Sequence, residues 1–330
     1  MRQLVLFGII VGALIAILWS RPSPTFTGEP PQLSYVATAH QLGVVGYRDP
    51  AGAISPDGSK LAHAEGRFIR VVPIGGGVPV TLAAGDGQVR YITWASNDVV
   101  VGEDATKDAR WWTYRLGATD RHPLWNGKDV VAADGTARVS DLRQLSFSAD
   151  GTWVAALVSA KEGPELWRIA ADGSKASRLK LSGRPSFPAF SPSGEIACIA
   201  NDGARPRLSL PCGAPPLAFE PDLDIYGPIA FAAHGSTAYF ASPNDQGMVA
   251  LWAGDTSKGL ARRLTSFSRD AYAPSISATG TGVFKVQLYR TFVADAPSAG
   301  GAAAASSSGF FSSSAMFRSR GSEAAHAANA

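Results

Sequence analysis

Two short stretches of the sequence repeat one chemically capable pattern: Asp224, Tyr226 and Pro228, and Asp270, Tyr272 and Pro274, both read D-x-Y-x-P. Tyr47, Arg48, Asp49 and Pro50 form a related cluster, and Arg90, Arg143 and Arg184 fall at comparable points of the intervening chain. Aspartate beside tyrosine or arginine can move protons or hold an anion. Copies brought together would therefore make a ligand or partner surface, or an acid–base site. The same residues also have a purely structural reading, with Pro and Asp shaping turns and Tyr packing. His40, His63, His122, His234 and His326 stand singly, without the convergence a metal requires. No H-E-x-x-H, C-x-x-C or G-x-S-x-G motif occurs. The sequence thus assigns no catalytic residue, metal ligand or cofactor. Cys198 and Cys212 are the two cysteines. They are candidates for a cross-strand disulfide if the chain is exported, or for two unpaired core thiols if the hairpin register keeps them apart.

Positioning these residues is the task of a repeated element. Residues 145–181 contain Leu145 and Phe147, then SADG, then Trp153, Ala155 and Leu157, then ELWRIA, a second turn and a last apolar segment. The alternation has the period of half-buried strands and the turns are tight, so the stretch predicts four short antiparallel strands. Related units begin with SPDG at Ser55, a degenerate turn near residue 95, SPSG at Ser191, AAHG at Ala232 and SATG at Ser277. Successive spacings of about 40 to 53 residues suit the blades of a propeller. In the turns, Asp57 and Asp150 are read as backbone-binding residues and the following glycines as the positions that take positive φ. The fourth unit is expected to use residues 216–219 as its last strand. The sixth has three evident strands, the third at residues 291–296, and a lone strand at residues 32–39 is expected to supply the fourth and close the ring.

This recurrence, an inner strand, S-P-D-G, a second strand, L-W-R-I, a glycine turn and R-L, resembles the repeat of the TolB-like six-bladed β-propellers, shared with the propeller domains of prolyl-oligopeptidase-type proteins. The resemblance covers about residues 46–296 and implies an all-β, six-bladed β-propeller of four-stranded antiparallel blades. Loops leading into the inner strands of such a fold converge on one mouth of its channel. That would gather Arg48, Asp49, Arg90, Arg143, Arg184, Asp224, Tyr226, Asp270 and Tyr272 into a ring. The fold alone leaves function open, since propellers serve as platforms, scaffolds and gates.

Apolar residues make up 45% of the 330-residue chain and charged residues only 17%, a balance that suits a β-rich globular protein. The formal net charge is +3, but setting aside Arg2, Arg21, Arg318, Arg320 and Glu323 leaves 26 basic and 26 acidic residues. A balanced body gives no electrostatic footprint for nucleic acid. Residues 4–19 are an unbroken apolar run flanked by Arg2 and Arg21. As an apolar helix they predict membrane attachment, favouring an uncleaved anchor over a cleaved signal, because no A-x-A site follows until Ala37 and Ala39.

The expected organisation is a signal anchor or signal peptide at 1–21, a proline-rich spacer at 22–31, the propeller at 32–296 and a disordered Ala/Ser/Gly-rich tail at 297–330. The functional expectation is a non-catalytic propeller in the cell envelope that binds an envelope protein partner, and not nucleic acid. It is either membrane-anchored with an extracytoplasmic body or secreted. The alternatives are a hydrolase or lyase working at the channel mouth, and the propeller remnant of a larger sensor or peptidase-type protein.

Overall fold

The computed structural model describes residues 38–40, 52–83, 87–104, 110–133, 135–181, 183–201, 205–244, 247–265, 271–289 and 310–318. Strand β1 (Thr38–His40) comes first but belongs to the last sheet. The first blade is β2 (Gly52–Ile54), β3 (Lys60–Glu65), β4 (Phe68–Pro73) and β5 (Val80–Ala83). The second is β6 (Val89–Ser96), β7 (Val99–Asp104), β8 (Arg110–Arg115) and β9 (Arg121–Pro123). A small hairpin, β10 (Val130–Ala132) and β11 (Gly135–Ala137), intervenes. The third blade is β12 (Leu142–Phe147), β13 (Trp153–Ala160), β14 (Gly163–Ala170) and β15 (Ala176–Leu179). The fourth sheet has three strands, β16 (Arg184–Phe190), β17 (Ile196–Asn201) and β18 (Arg207–Ser209). The next blade is β19 (Tyr226–Phe231), β20 (Thr237–Pro243), β21 (Val249–Asp255) and β22 (Leu260–Arg263). The last contains β23 (Ala271–Ile276), β24 (Thr281–Tyr289) and β25 (Phe310–Arg318), with β1 at its edge. All these strand pairings are antiparallel.

The four-residue turns explain why the units repeat. In the third blade the Ser148 hydroxyl donates to Asp150 Oδ1 (2.5 Å) and accepts from the Trp153 N–H (2.9 Å), while Asp150 accepts from the Thr152 N–H (3.1 Å) and hydroxyl (2.8 Å). Ser55, Asp57, Ser59 and Lys60 reproduce the pattern in the first blade. Gly58 and Gly151 sit at φ 74° and 69°, where a side chain would be strained. Each turn is therefore specified within six residues.

Packing between blades supplies the core. In β13 five successive residues, Val154, Ala155, Ala156, Leu157 and Val158, are buried, because a neighbouring sheet covers each face of the strand. Tryptophans tie blades together as well as filling space: Trp94 Nε1 donates to the Ala53 carbonyl (2.8 Å) and Trp111 Nε1 to the Leu142 carbonyl (3.4 Å). Last and first sheets meet through the Ile54 N–H donating to Ser275 Oγ (3.1 Å) and the Ala278 N–H donating to the Pro56 carbonyl (2.9 Å).

Several sequence expectations are corrected. Five four-stranded blades are present, not six, because the fourth unit lacks its expected last strand. Pro211, Pro215 and Pro216 remove the N–H donors a ladder would need there. The chain keeps one bond to its own sheet, Leu217 N–H to the Leu208 carbonyl (2.7 Å), and then crosses to the next blade, where Glu220 N–H donates to the Gly259 carbonyl (2.7 Å) and Ala261 N–H to the Glu220 carbonyl (2.9 Å). Phe219, Leu223 and Ile225 of this strap are buried. At its start Cys212 lies just beyond β18 and is bonded to Cys198 of β17, with Cα atoms 5.1 Å apart.

The tail assignment is corrected in part. Residues 310–318 form β25, paired along its length with β24 and through Ser312, Ser313 and Ser314 with β1. The third strand of the last sheet is thus β25; residues 291–296, expected there, lie outside the described residues. The expected apolar helix at residues 4–19 and the spacer also lie outside them. The helical elements described are two 3-10 turns, Leu124–Gly127 and Val139–Asp141. Among the described residues no helix is long and apolar enough to cross a membrane.

Candidate functional site: the central channel and its leading end

The innermost strands β2, β6, β12, β16, β19 and β23 line a central cavity of about 670 Å³. Its lining runs from near the start of each inner strand through the turn that follows. Neutral polar groups (Thr93, Gln144, Ser146, Ser275) alternate with apolar ones (Trp94, Phe147, Phe190, Ile276). Among the described lining residues, the ionisable side chains are Tyr91, Asp150 and His234. Asp150 is committed to its own turn, where the Ser148 hydroxyl and then the Thr152 N–H and hydroxyl hold its carboxyl down at about 2. It is an anion locked to local donors, poorly suited to carry a proton near neutral pH.

The D-x-Y-x-P recurrence acquires a physical account. Gly227 and Ala273, the residues before Pro228 and Pro274, have φ of 72° and 53°, and the pairing of both inner strands shifts there, between Tyr226 and Ala230 and between Tyr272 and Ser275. Phe187, before Pro188, has φ 49° with a shift between Ser186 and Ala189. These are β-bulges, and a proline there forfeits no ladder hydrogen bond. Left-handed backbone at a residue other than glycine costs about 1–3 kcal/mol. At Phe187 the cost is offset by its N–H donating to Gln144 Oε1 of the neighbouring inner strand (2.6 Å). Sequence reasoning missed Phe187 and Gln144, although the x-Pro step in R-P-S-F-P at residues 184–188 was the available signal.

The residues expected to form a mixed ring separate into groups. Arg90, Arg143 and Arg184 occupy the leading ends of β6, β12 and β16, and all three are exposed. Each precedes the first lining residue of its strand, Tyr91, Gln144 and Phe187, and lies outside the cavity wall. Arg143 Nε donates to Ser159 Oγ (2.8 Å). Tyr226, 41% exposed, holds the equivalent place on β19. Asp224 is paired with Arg205, and Asp222 with both Arg205 and Arg207; Arg207, then Arg205, keep the Asp222 carboxyl at about 2 against the opposing effect of desolvation. Arg48, Asp49 and Asp270 lie outside the described residues. The Tyr272 backbone is part of β23, and its side chain lies outside the description. Among the described residues no three His, Cys, Asp or Glu side chains are grouped to hold a metal.

No family model and no curated relative matches the sequence. Solved structures do. TolB from Acinetobacter baumannii superposes with a TM-score of 0.53 at 16% identity, over 87% of this chain and 63% of that one. A chain of the Mitotic Checkpoint Complex superposes with a TM-score of 0.53 at 11% identity, over 91% of this chain and 95% of its own. The chain thus spans 63% of the length of the TolB it resembles, and identities this low speak to the fold alone. With its antiparallel blades around a central channel, the chain is, in fold, a TolB-like β-propeller.

Proposed function

We propose that this protein is a non-catalytic binding propeller of the cell envelope, which captures a protein partner at the leading end of its inner strands and along the channel behind them. The observation that carries the reading is the cavity of about 670 Å³, walled mainly by neutral polar and apolar side chains and flanked by exposed Arg90, Arg143, Arg184 and Tyr226. A roomy concave wall with few ionisable groups favours binding over proton-transfer chemistry. The chain that superposes from the Mitotic Checkpoint Complex belongs to an assembly. The apolar run at residues 4–19 supports the envelope location.

The test is site-specific photocrosslinking in intact cells. A crosslinking residue replaces Ser146 in the cavity wall, Arg143 at the leading end, or exposed Thr81 on outer strand β5. One discrete protein, identified by mass spectrometry and captured from the first two sites but not the third, is the expected outcome. Capture from Thr81 alone, or no adduct above background from Ser146 and Arg143, would overturn the reading.

A further inference from the structure

We propose that the leading end of the propeller recognises an acidic peptide segment of its partner through Arg90, Arg143 and Arg184. This deepens the binding reading above and rests on it. The three arginines begin the inner strands of three consecutive sheets, all three are exposed, and among the described residues none is paired with a carboxylate. The sequence suggested a mixed ring of both signs. The structure removes the negative half of it on the neighbouring blade, because Asp222 and Asp224 are consumed by Arg205 and Arg207. At the described turns beside the arc Lys161 and Glu162 carry opposite charges side by side, Arg67 follows Glu65, and Asp141 precedes Arg143 on the connection into β12. Three exposed arginines with no carboxylate partner among the described residues therefore border a cavity whose described wall holds no Lys or Arg.

That division of charge argues for the class of ligand. Charge is read at the leading end, and neutral complementarity is required deeper in. A long polyanion or an anionic membrane gains affinity by neutralising many charges over a broad basic face, whereas the body of this chain is balanced at 26 basic and 26 acidic residues. Three arginines on one rim match a short run of carboxylates on a chain that is neutral elsewhere.

The experiment uses the full chain and a fluorescein-labelled peptide with four glutamates followed by a neutral Ser/Gly/Leu segment, followed by anisotropy. Its isosteric Gln peptide, its Lys peptide, a short DNA duplex, and vesicles of 30% phosphatidylglycerol in phosphatidylcholine serve as competing probes. The Glu peptide is expected to bind at low salt and to release as salt approaches 1 M, where the Debye length falls to about 3 Å. Arg90→Gln, Arg143→Gln and Arg184→Gln together are expected to weaken it by about 3- to 150-fold, the product of three exposed charge pairs. The corresponding triple Lys variant should retain most of the binding, and Arg115→Gln with Arg263→Gln should leave it unchanged. Thermal melts of each variant verify folding. No binding of the Glu peptide, equal binding by the triple Gln variant, or preference for vesicles, DNA or the Gln or Lys peptide overturns the acidic-segment proposal. If the Ser146 crosslink nevertheless persists in the triple Gln variant, the binding reading stands without it; if the crosslink is absent from the unmodified chain, the reading itself has failed.

Discussion

Truncating Phe219 tests the strap that replaces the missing outer strand of the fourth sheet. Its ring is 5% exposed and lies 5.4 Å, centroid to centroid, from that of Phe240 in β20. Removing a buried phenyl leaves a void as well as losing transfer energy, so Phe219→Ala should cost about 3–5 kcal/mol, a large share of the roughly 5–15 kcal/mol available to a folded domain. Gly254 provides a second handle. A methyl added there would lie 2.6 Å from Phe219 Cε1 and 2.8 Å from Phe240 Cε1, and Gly254→Ala should cost about 1–3 kcal/mol through overpacking. The two effects cannot be independent, because the space vacated by Phe219 is where the new methyl must go. Urea unfolding of both single variants and the double variant, monitored by tryptophan fluorescence, should show the double variant more stable than the sum by at least about 1 kcal/mol. Residual crowding from Phe240 keeps the rescue incomplete. Additivity to within about 0.3 kcal/mol, or a cost below about 1 kcal/mol for Phe219→Ala alone, would show that the strap is not packed as described.

Cys198 and Cys212 are separated by 14 residues in sequence and bonded in the structure, so reduction, or replacement of both by Ala, should cost about 2–3 kcal/mol through the freed loop. A reduced sample with an unchanged urea midpoint, its free thiols confirmed by titration, would contradict this. Asp150 has its carboxyl at about 2 in the folded chain, against 3.8 unperturbed. Its contribution is present above about pH 4 and is lost as pH falls through about 2. Because the group is exposed the effect should stay below about 1 kcal/mol. It is measured as the difference between the unmodified chain and Asp150→Asn in urea unfolding at pH 5, 3 and 2, and parallel pH dependences would refute it.

What the sequence determined by itself is the set of features whose donors and acceptors lie close along the chain. Ser148, Asp150, Gly151 and Thr152 specify their turn through contacts within six residues, and the spacing of such turns implies blades; β13 and β14 fall where the apolar alternation placed them. The recurrence of D-x-Y-x-P was also legible, but its meaning was not. Whether Asp224 stays available depends on Arg205, 19 residues away, and no spacing rule fixes such a pairing. The same limit explains the other corrections. Residues 216–219 are apolar enough for an outer strand, yet beside the prolines they keep a single bond to β18, at Leu217, and lead into Glu220, which joins the edge of β22. Residues 310–318 lie within an Ala/Ser/Gly-rich stretch that reads as a tail, yet they find a complete ladder on β24 along a nine-residue strand, a pairing partner that local composition does not reveal. The tertiary structure alone decided which charges survive at the leading end of the channel. Net electrostatics there is a sum over partners from different blades, and folding, not sequence order, brings those partners together.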